Sequence, residues 1–220
     1  MSAAEPIHRG GAGYWDGHAR TKVFTHPLRV DWLERHGGRG EGRRLRLADV
    51  GCGQGRLWSE LPERWQVLGV DGSGAMLSEA RARSAGRDVA QGTAMAWPTA
   101  SRSLDAALLV SVLTCVQKDA DQQQVLAEAR RCLRPGGVLF SSDLLLQTDE
   151  RNRRRYARGM GEFGCYGCFR LPDGGTFRHM SEAWVAELFS GFEPLEFEEH
   201  AVVTMNGNPA RAFRGLWRRR

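Results

Sequence analysis

Residues Leu45 to Asp71 read LRLADVGCGQGRLWSELPERWQVLGVD, and this stretch decides the fold. Leu45, Leu47 and Val50 form a short apolar run without helical spacing, and it stops at Gly51, Gly53 and Gly55. An amphipathic segment with Leu57, Trp58 and Leu61 follows, then a second apolar run, Val67 to Val70, that ends in an acid, Asp71. The order is strand, glycine turn, helix, strand, which is half of a nucleotide-binding βαβ unit. Glycine lets the chain reverse tightly and lets a ligand approach backbone. Asp71, about twenty residues beyond the first glycine, stands where such units bond ribose hydroxyls.

Two details refine the ligand. The spacing is GxGxG rather than the GxGxxG that opens a helix onto a pyrophosphate. Asp49, two residues before the first glycine, would repel a pyrophosphate and attract a cation. A nucleoside with a cationic tail fits both, and S-adenosylmethionine is such a molecule. DVGCGQG followed by GVDGS resembles the first two motifs of the class I S-adenosylmethionine-dependent methyltransferases. Asp49, Gly51, Cys52, Gly53, Gly55, Asp71 and Gly72 are the cofactor-binding residues that this resemblance implies.

Further motifs follow in order. Gly72-Ser73-Gly74 leads into a helix that Ser73 caps, and Met76 there either packs the core or touches adenine. Asp88 to Gly92 reads as a third strand. Gly92 to Pro98, with Thr93, Ala94 and Met95, resembles the family's third motif. Thr93 departs from it, replacing the usual aspartate at the adenine amino group with a hydroxyl that lacks charge assistance. Leu104 to Val110, LDAALLV, has the continuous apolar character of a central parallel strand, and Ser111 to Val116 lies at its ligand-binding end. Ser111 is expected to offer backbone to the methionine end of the cofactor. Ala120 to Leu133 is an amphipathic helix, and LRPGGVLFSSD, which leads into a fifth strand over Val138 to Leu146, is a family signature. These motifs cover roughly the middle half of the chain and most resemble the small-molecule members called methyltransferase type 11. The implied fold is α/β: a Rossmann-like, seven-stranded, mostly parallel sheet with an antiparallel C-terminal strand and helices on both faces.

The flanks carry less pattern. Met1 to Gly13 is a loose polar arm, Tyr14 to Ala19 a helical segment, and Pro27 breaks the chain at His26. Leu28, Trp32 and Leu33 share a helix face before the linker GGRGEGRR. Beyond the fifth strand, ERNRRRYAR is either a solvated helix face or an anion-binding patch. Gly159 to Leu171 suggests an insertion that ends in a hairpin at Pro172-Asp173-Gly174-Gly175, with Phe177-Arg178-His179 as its return strand. A helix capped by Ser181 follows, then a strand at LEFEE that buries Leu195 and Phe197, and a last strand over Ala212 to Trp217. One domain over 1–220 is expected: an N-terminal lid and linker (1–44), a cofactor core (45–146), a substrate-side insertion and helix (147–190) and a C-terminal strand pair (191–220).

A sulfonium methyl needs an aligned nucleophile and exclusion of water; an oxygen or nitrogen acceptor often wants a base as well. His26, His179 and Asp143 are the candidate bases, each open to a structural reading. Tyr14, Trp15, His18, Cys115, Tyr166 and Arg178 are candidate acceptor contacts. The aromatics serve equally as helix packing, Cys115 as an inert thiol, and Arg178 as a solvent-facing residue. Cys165 and Cys168 form CxxC without the further ligands that zinc requires, so no metal is expected.

Composition narrows the class. No apolar run nears the roughly 20 residues of a membrane span, and MSAAEPIHRGG lacks a secretory h-region. Five cysteines then read as reduced thiols of a cytoplasmic protein. The net charge of +5 is carried almost wholly by arginine, a bias that also fits GC-rich bacterial coding. It permits nucleic-acid binding without establishing it. The Asn- or Asp-Pro-Pro-aromatic motif of DNA base methyltransferases is missing. The expected partner is therefore a small-molecule acceptor with an O, N or S nucleophile, with no membrane or nucleic-acid partner and with a homodimer left open. Two rivals stand beside it: an RNA or protein methyltransferase, prompted by the arginine runs, and a cofactor-binding module without turnover.

Overall fold

The computed structural model describes residues 12–19, 26–37, 44–84 and 86–220. Of the expected loose arm, Met1 to Gly13, residues 1–11 lie outside the described residues, as does most of the GGRGEGRR linker, while Ala12 and Gly13 open a short helix instead. Among those described, no helix is long and apolar enough to cross a membrane.

Seven strands form one sheet in the order β3-β2-β1-β4-β5-β9-β8. The strands are β1 (Arg46–Val50), β2 (Gln66–Asp71), β3 (Asp88–Gln91), β4 (Leu104–Val110), β5 (Leu133–Leu144), β8 (Phe192–Val203) and β9 (Pro209–Arg219). The first five run parallel, with Val50 level with Val70 on one side and Leu109 on the other. β9 runs antiparallel to both β5 and β8. It is the antiparallel C-terminal strand that the sequence implies, wedged between two strands of the other direction. Strand order reverses between β1 and β4, which opens a crevice at their carboxyl ends.

Every residue of β4 is buried, because helices cover both faces of the sheet. Leu109 and Leu139 face Val125 and Ala129 of α4 (Asp119–Cys132) and Val185 of α6 (Glu182–Leu188). Leu108 and Phe140 on the other face meet Trp32 and Leu33 of α2 (Val30–His36) and Leu77 of α3 (Gly74–Arg83). Each such large side chain contributes about 1.5–3 kcal/mol when fully buried. Ser73 caps α3 through Met76 N–H (3.1 Å), and Ser181 caps α6 through Trp184 N–H (3.1 Å), as their residue types lead one to expect.

Three local expectations need correction. After the glycine loop the chain makes only one 3-10 turn, Arg56–Ser59, instead of a full helix. Pro62 disfavours helical geometry at Leu61, and Gly55 enters the turn in the left-handed region (φ +70°). Leu57, Trp58 and Leu61 are buried all the same. Second, Phe197 is 51% exposed, because β8 is the outermost strand and an irregular register at Pro194/Glu196 breaks the alternation. Third, α5 (Glu150–Phe163) runs on through Gly159 and Gly161 into what reads as insertion. A Cβ on Gly159 would lie 1.8 Å from the Cys168 carbonyl oxygen, so the missing side chain lets α5 pack directly on the hairpin.

That hairpin, β6 (Cys168–Arg170) and β7 (Thr176–Arg178), forms at the anticipated turn with Phe169 opposite Phe177. It is fastened to the loop after β4: Thr114 Oγ1 donates to Arg178 O (2.8 Å) and Gln117 Nε2 to Thr176 O (2.9 Å).

Candidate active site

The glycine loop closes the crevice at the end of β1. Gly51, Gly53 and Gly55 all have left-handed backbone, with φ of +71°, +53° and +70°. A Cβ on Gly51 would stand 2.6 Å from Val112 Cγ2, and one on Gly55 2.6 Å from the Trp58 ring. Gly53 is different: its open side meets only Met76 Sδ, at 3.8 Å. Gly53 N–H donates to Asp71 Oδ2 (2.9 Å), and Ser73 N–H donates to Asp71 Oδ1 (2.8 Å). Asp71 thus braces the loop against the start of α3 while its side chain stays partly accessible. Burial raises its pKa, against the backbone N–H groups that lower it.

Asp49 sits beneath the loop, 1% exposed, and accepts a hydrogen bond from Trp58 Nε1 (2.8 Å). Burial pushes its carboxyl up to about 6, with the Trp58 N–H and Arg56 acting the other way. The Cys52 thiol is buried, and that burial raises its pKa. Gly72 O accepts from Gln91 Nε2 (3.1 Å), and Met76 is buried beside the loop. Thr93 lies exposed just past β3, Ala94 O accepts from Trp97 Nε1 (2.7 Å), and Met95 is half-buried. Asp16 of α1 (Ala12–Asp16) accepts from Ser73 Oγ and from Ala75 N–H (3.2 Å), and Gln54 donates to Ala19 O. The N-terminal helix therefore lies along the edge of the crevice.

Ser111 follows β4 with left-handed backbone (φ +60°), rare outside glycine, and its buried hydroxyl has no hydrogen-bond partner. An orphaned hydroxyl and an open glycine face at the mouth of one crevice fit a bound S-adenosylmethionine.

A pocket opens beyond Ser111, at the ends of β4 and β5. His26, Thr114, Gln147, Asn152, Arg155 and His179 give it polar groups; Phe169, Leu171, Phe177 and Met205 give it apolar walls. Two of the three candidate bases meet here. His26 Nδ1 lies 3.0 Å from Ser142 Oγ, and burial, with Arg56 and His200 nearby, holds its pKa down at about 3. His179 Nδ1 lies 2.6 Å from Tyr156 Oη; burial and the Arg155 and Arg151 cations hold it at about 3 too. The third, Asp143, does not line the pocket. Its oxygens accept from Leu113 N–H (3.1 Å) and Thr114 N–H (2.9 Å), and burial raises its carboxyl to about 7. Asp143 shapes the turn after β4.

The candidate acceptor contacts divide similarly. Tyr14 and Trp15 pack edge-on against Phe177, with centroids 6.0 and 6.2 Å away, and Tyr14 Oη donates to Asp173 (3.1 Å). His18 bonds Tyr14 O (2.8 Å) and approaches Asp173. This trio docks the N-terminal helix onto the hairpin. The half-buried Cys115 thiol bonds Ser111 O (3.5 Å), and burial raises its pKa. Tyr166 is 49% exposed and stands edge-on to Tyr156, outside the pocket lining. Arg178 is buried, not solvent-facing, and it does not line the pocket: its guanidinium is held by Asp119 (2.6 Å) and Gln117 O (2.9 Å). Cys165 and Cys168 are free thiols, and no group of three potential metal ligands occurs among the described residues.

Asn152 and Arg155 are pocket residues that sequence reading missed, and Tyr156 beside them bonds His179. The signal was present: with Gly159 they fall at i, i+3, i+4 and i+7, one face of a helix. The arginines between them hid it.

Residues 48–141 match the family model described as a methyltransferase domain. The chain is 28% identical over 151 residues to a ubiquinone biosynthesis O-methyltransferase of Acinetobacter baylyi, covering 66% of this chain and 60% of that protein. A protein of the same description from Idiomarina loihiensis is 25% identical over 205 residues, 91% of this chain and 81% of its own length. The chain spans about 60% of the length of the first of these relatives. A solved structure described as a SAM-dependent methyltransferase of Methanosarcina mazei superposes with a TM-score of 0.78 at 21% identity, covering 89% of this chain and 99% of that one.

Proposed function

We propose that this chain, which belongs to the class I S-adenosylmethionine-dependent methyltransferases of the type 11 kind, methylates an O, N or S atom of a small molecule held beyond Ser111. The observation that carries the acceptor half of this reading is the place of Ser111, which follows β4 at the reversal of strand order and also lines the pocket. The relatives described as ubiquinone biosynthesis O-methyltransferases make an oxygen nucleophile a reasonable first choice.

The donor supplies a sulfonium methyl group. On this reading Gly53 lets it approach backbone, Asp71 accepts from its ribose, and Asp49 lies beneath its cationic end. The walls Phe169, Phe177 and Met205 keep water from the acceptor. His26 and His179 are neutral near pH 7, so each is in the proton-accepting form. A thiolate acceptor would need neither of them. Five free cysteines support a cytoplasmic setting as part of the same proposal.

The arginine runs give the macromolecular rival no specific support. Arg151 donates to Asn208, Arg154 to Glu150, Arg218 to Glu193 and Arg219 to Leu133 O. The test is incubation with isotope-labelled S-adenosylmethionine and a panel of phenols, amines and thiols, read by product mass. Methylation of a panel member supports the reading. Label appearing only in added tRNA or protein would transfer the function to the macromolecular class, and label appearing nowhere would leave a binding module.

A further inference from the structure

Among the described residues, the pocket beyond Ser111 is lined by two arginines, Arg151 and Arg155, and by no aspartate or glutamate. Both arginines come from α5 and stand one turn apart on the same face. Arg151 is exposed and donates to Asn208 Oδ1 (2.6 Å) at the rim. Arg155 reaches deeper. Its guanidinium carbon lies 3.6 Å from the centroid of the Phe169 ring, and its Nη2 is 3.5 Å from His179 Nε2. Its Nε is buried without a hydrogen-bond partner, and no carboxylate among the described residues comes within ion-pair distance of it. Asp149, an acid that does act on Arg155, is engaged as the cap of α5, accepting from Asn152 N–H (3.1 Å).

A half-buried guanidinium stays charged, and keeping it from water without an anion is costly. Stacking on Phe169 offsets part of that cost. Phe169 and Phe177 lie 6.2 Å apart with their planes inclined by 32°, so the wall beside the cation is aromatic. Leu171 and Met205 extend the apolar lining.

We propose that the acceptor is a small, flat molecule bearing a carboxylate, which Arg155 holds in its fork with Arg151 at the rim, while the nucleophilic atom points to Ser111. The use of the pocket for an acceptor rests on the methyltransfer reading; its charge does not. The positive end fixes the register of the molecule, so that only an atom on the far side of the aromatic body reaches the donor.

The full chain is titrated in a calorimeter with S-adenosylhomocysteine, and then with naphthoate or its neutral isostere naphthamide. Wild type binds naphthoate roughly tenfold more tightly than naphthamide, as a charge-assisted pair would give. Arg155→Met removes that preference, and Arg155→Lys keeps a part of it. Equal affinity of wild type for the two probes, or a preference that survives in Arg155→Met, overturns the proposal. The S-adenosylhomocysteine titration reports whether Arg155→Met is folded; if it is not, the wild-type pair and Arg151→Met decide. Loss of S-adenosylhomocysteine binding with the naphthoate preference intact would sink the donor reading and leave the anion site standing.

Discussion

Asp49 and Asp143 are both buried carboxylates, and their partners give them different work. Asp49 accepts one indole N–H from Trp58 and lies beneath the glycine loop; Asp143 accepts two backbone N–H groups and shapes the turn that carries Ser111. Gly51 connects these two regions, because its missing side chain leaves room for Val112. Gly51→Ala combines a left-handed residue with a 2.6 Å clash, and is expected to cost about 1–3 kcal/mol in urea unfolding and to weaken S-adenosylhomocysteine binding. Unchanged stability and affinity would contradict this placement. His179 yields a pH prediction. Its pKa falls from 6.5 to about 3 on folding, so protonation favours the unfolded chain and stability is lost as pH falls below 6.5. Between pH 7 and pH 5 this group removes about 2 kcal/mol from wild type. His179→Asn lacks that loss, and the stability gap between the two proteins narrows by the same amount. Asp49 and Asp143 act in the opposite direction, equally in both proteins, and cancel in the comparison. An unchanged gap would show that His179 is not buried as a neutral ring. The glycines and Asp71 were legible in the sequence, since backbone geometry dictates residue type at such positions. Asp143 was legible only as an acid after a strand, because its partners are backbone groups that leave no sequence trace.

At the scale of elements, the sequence spoke clearly wherever burial was two-sided or turn chemistry was specific. LDAALLV became a fully buried β4, and Pro172 to Gly175 became the hairpin turn. It failed where one residue shortened or extended an element. Pro62 reduced the helix after the loop to a single turn, and a helix continued through Gly159 because packing outweighed propensity. Gly159→Ala tests that packing. With a Cβ 1.8 Å from the Cys168 carbonyl, α5 and β6 must separate, at a cost of about 1–3 kcal/mol. Acceptor-site binding of naphthoate should weaken, while S-adenosylhomocysteine affinity stays near wild type, because α5 stands away from the glycine loop. Equal weakening of both ligands would indicate a global rather than a local effect.

Across the whole molecule, the two halves of the site differ in how their residues are ordered along the chain. The donor crevice is built from consecutive strand ends, β1 to β4, and its motifs appear in sequence order. The pocket proposed for the acceptor gathers His26, Ser111, Arg155, Phe169, His179 and Met205 from separate elements, so no local pattern announces it. On the proposed reading, Gly53 and Asp71 hold S-adenosylmethionine at the reversal of strand order. Calorimetric titration with S-adenosylhomocysteine tests it most directly. Wild type is predicted to bind, and Asp71→Ala to bind at least about tenfold more weakly while remaining folded by its thermal melt. No binding by wild type, or undiminished binding by a folded Asp71→Ala, would contradict the account.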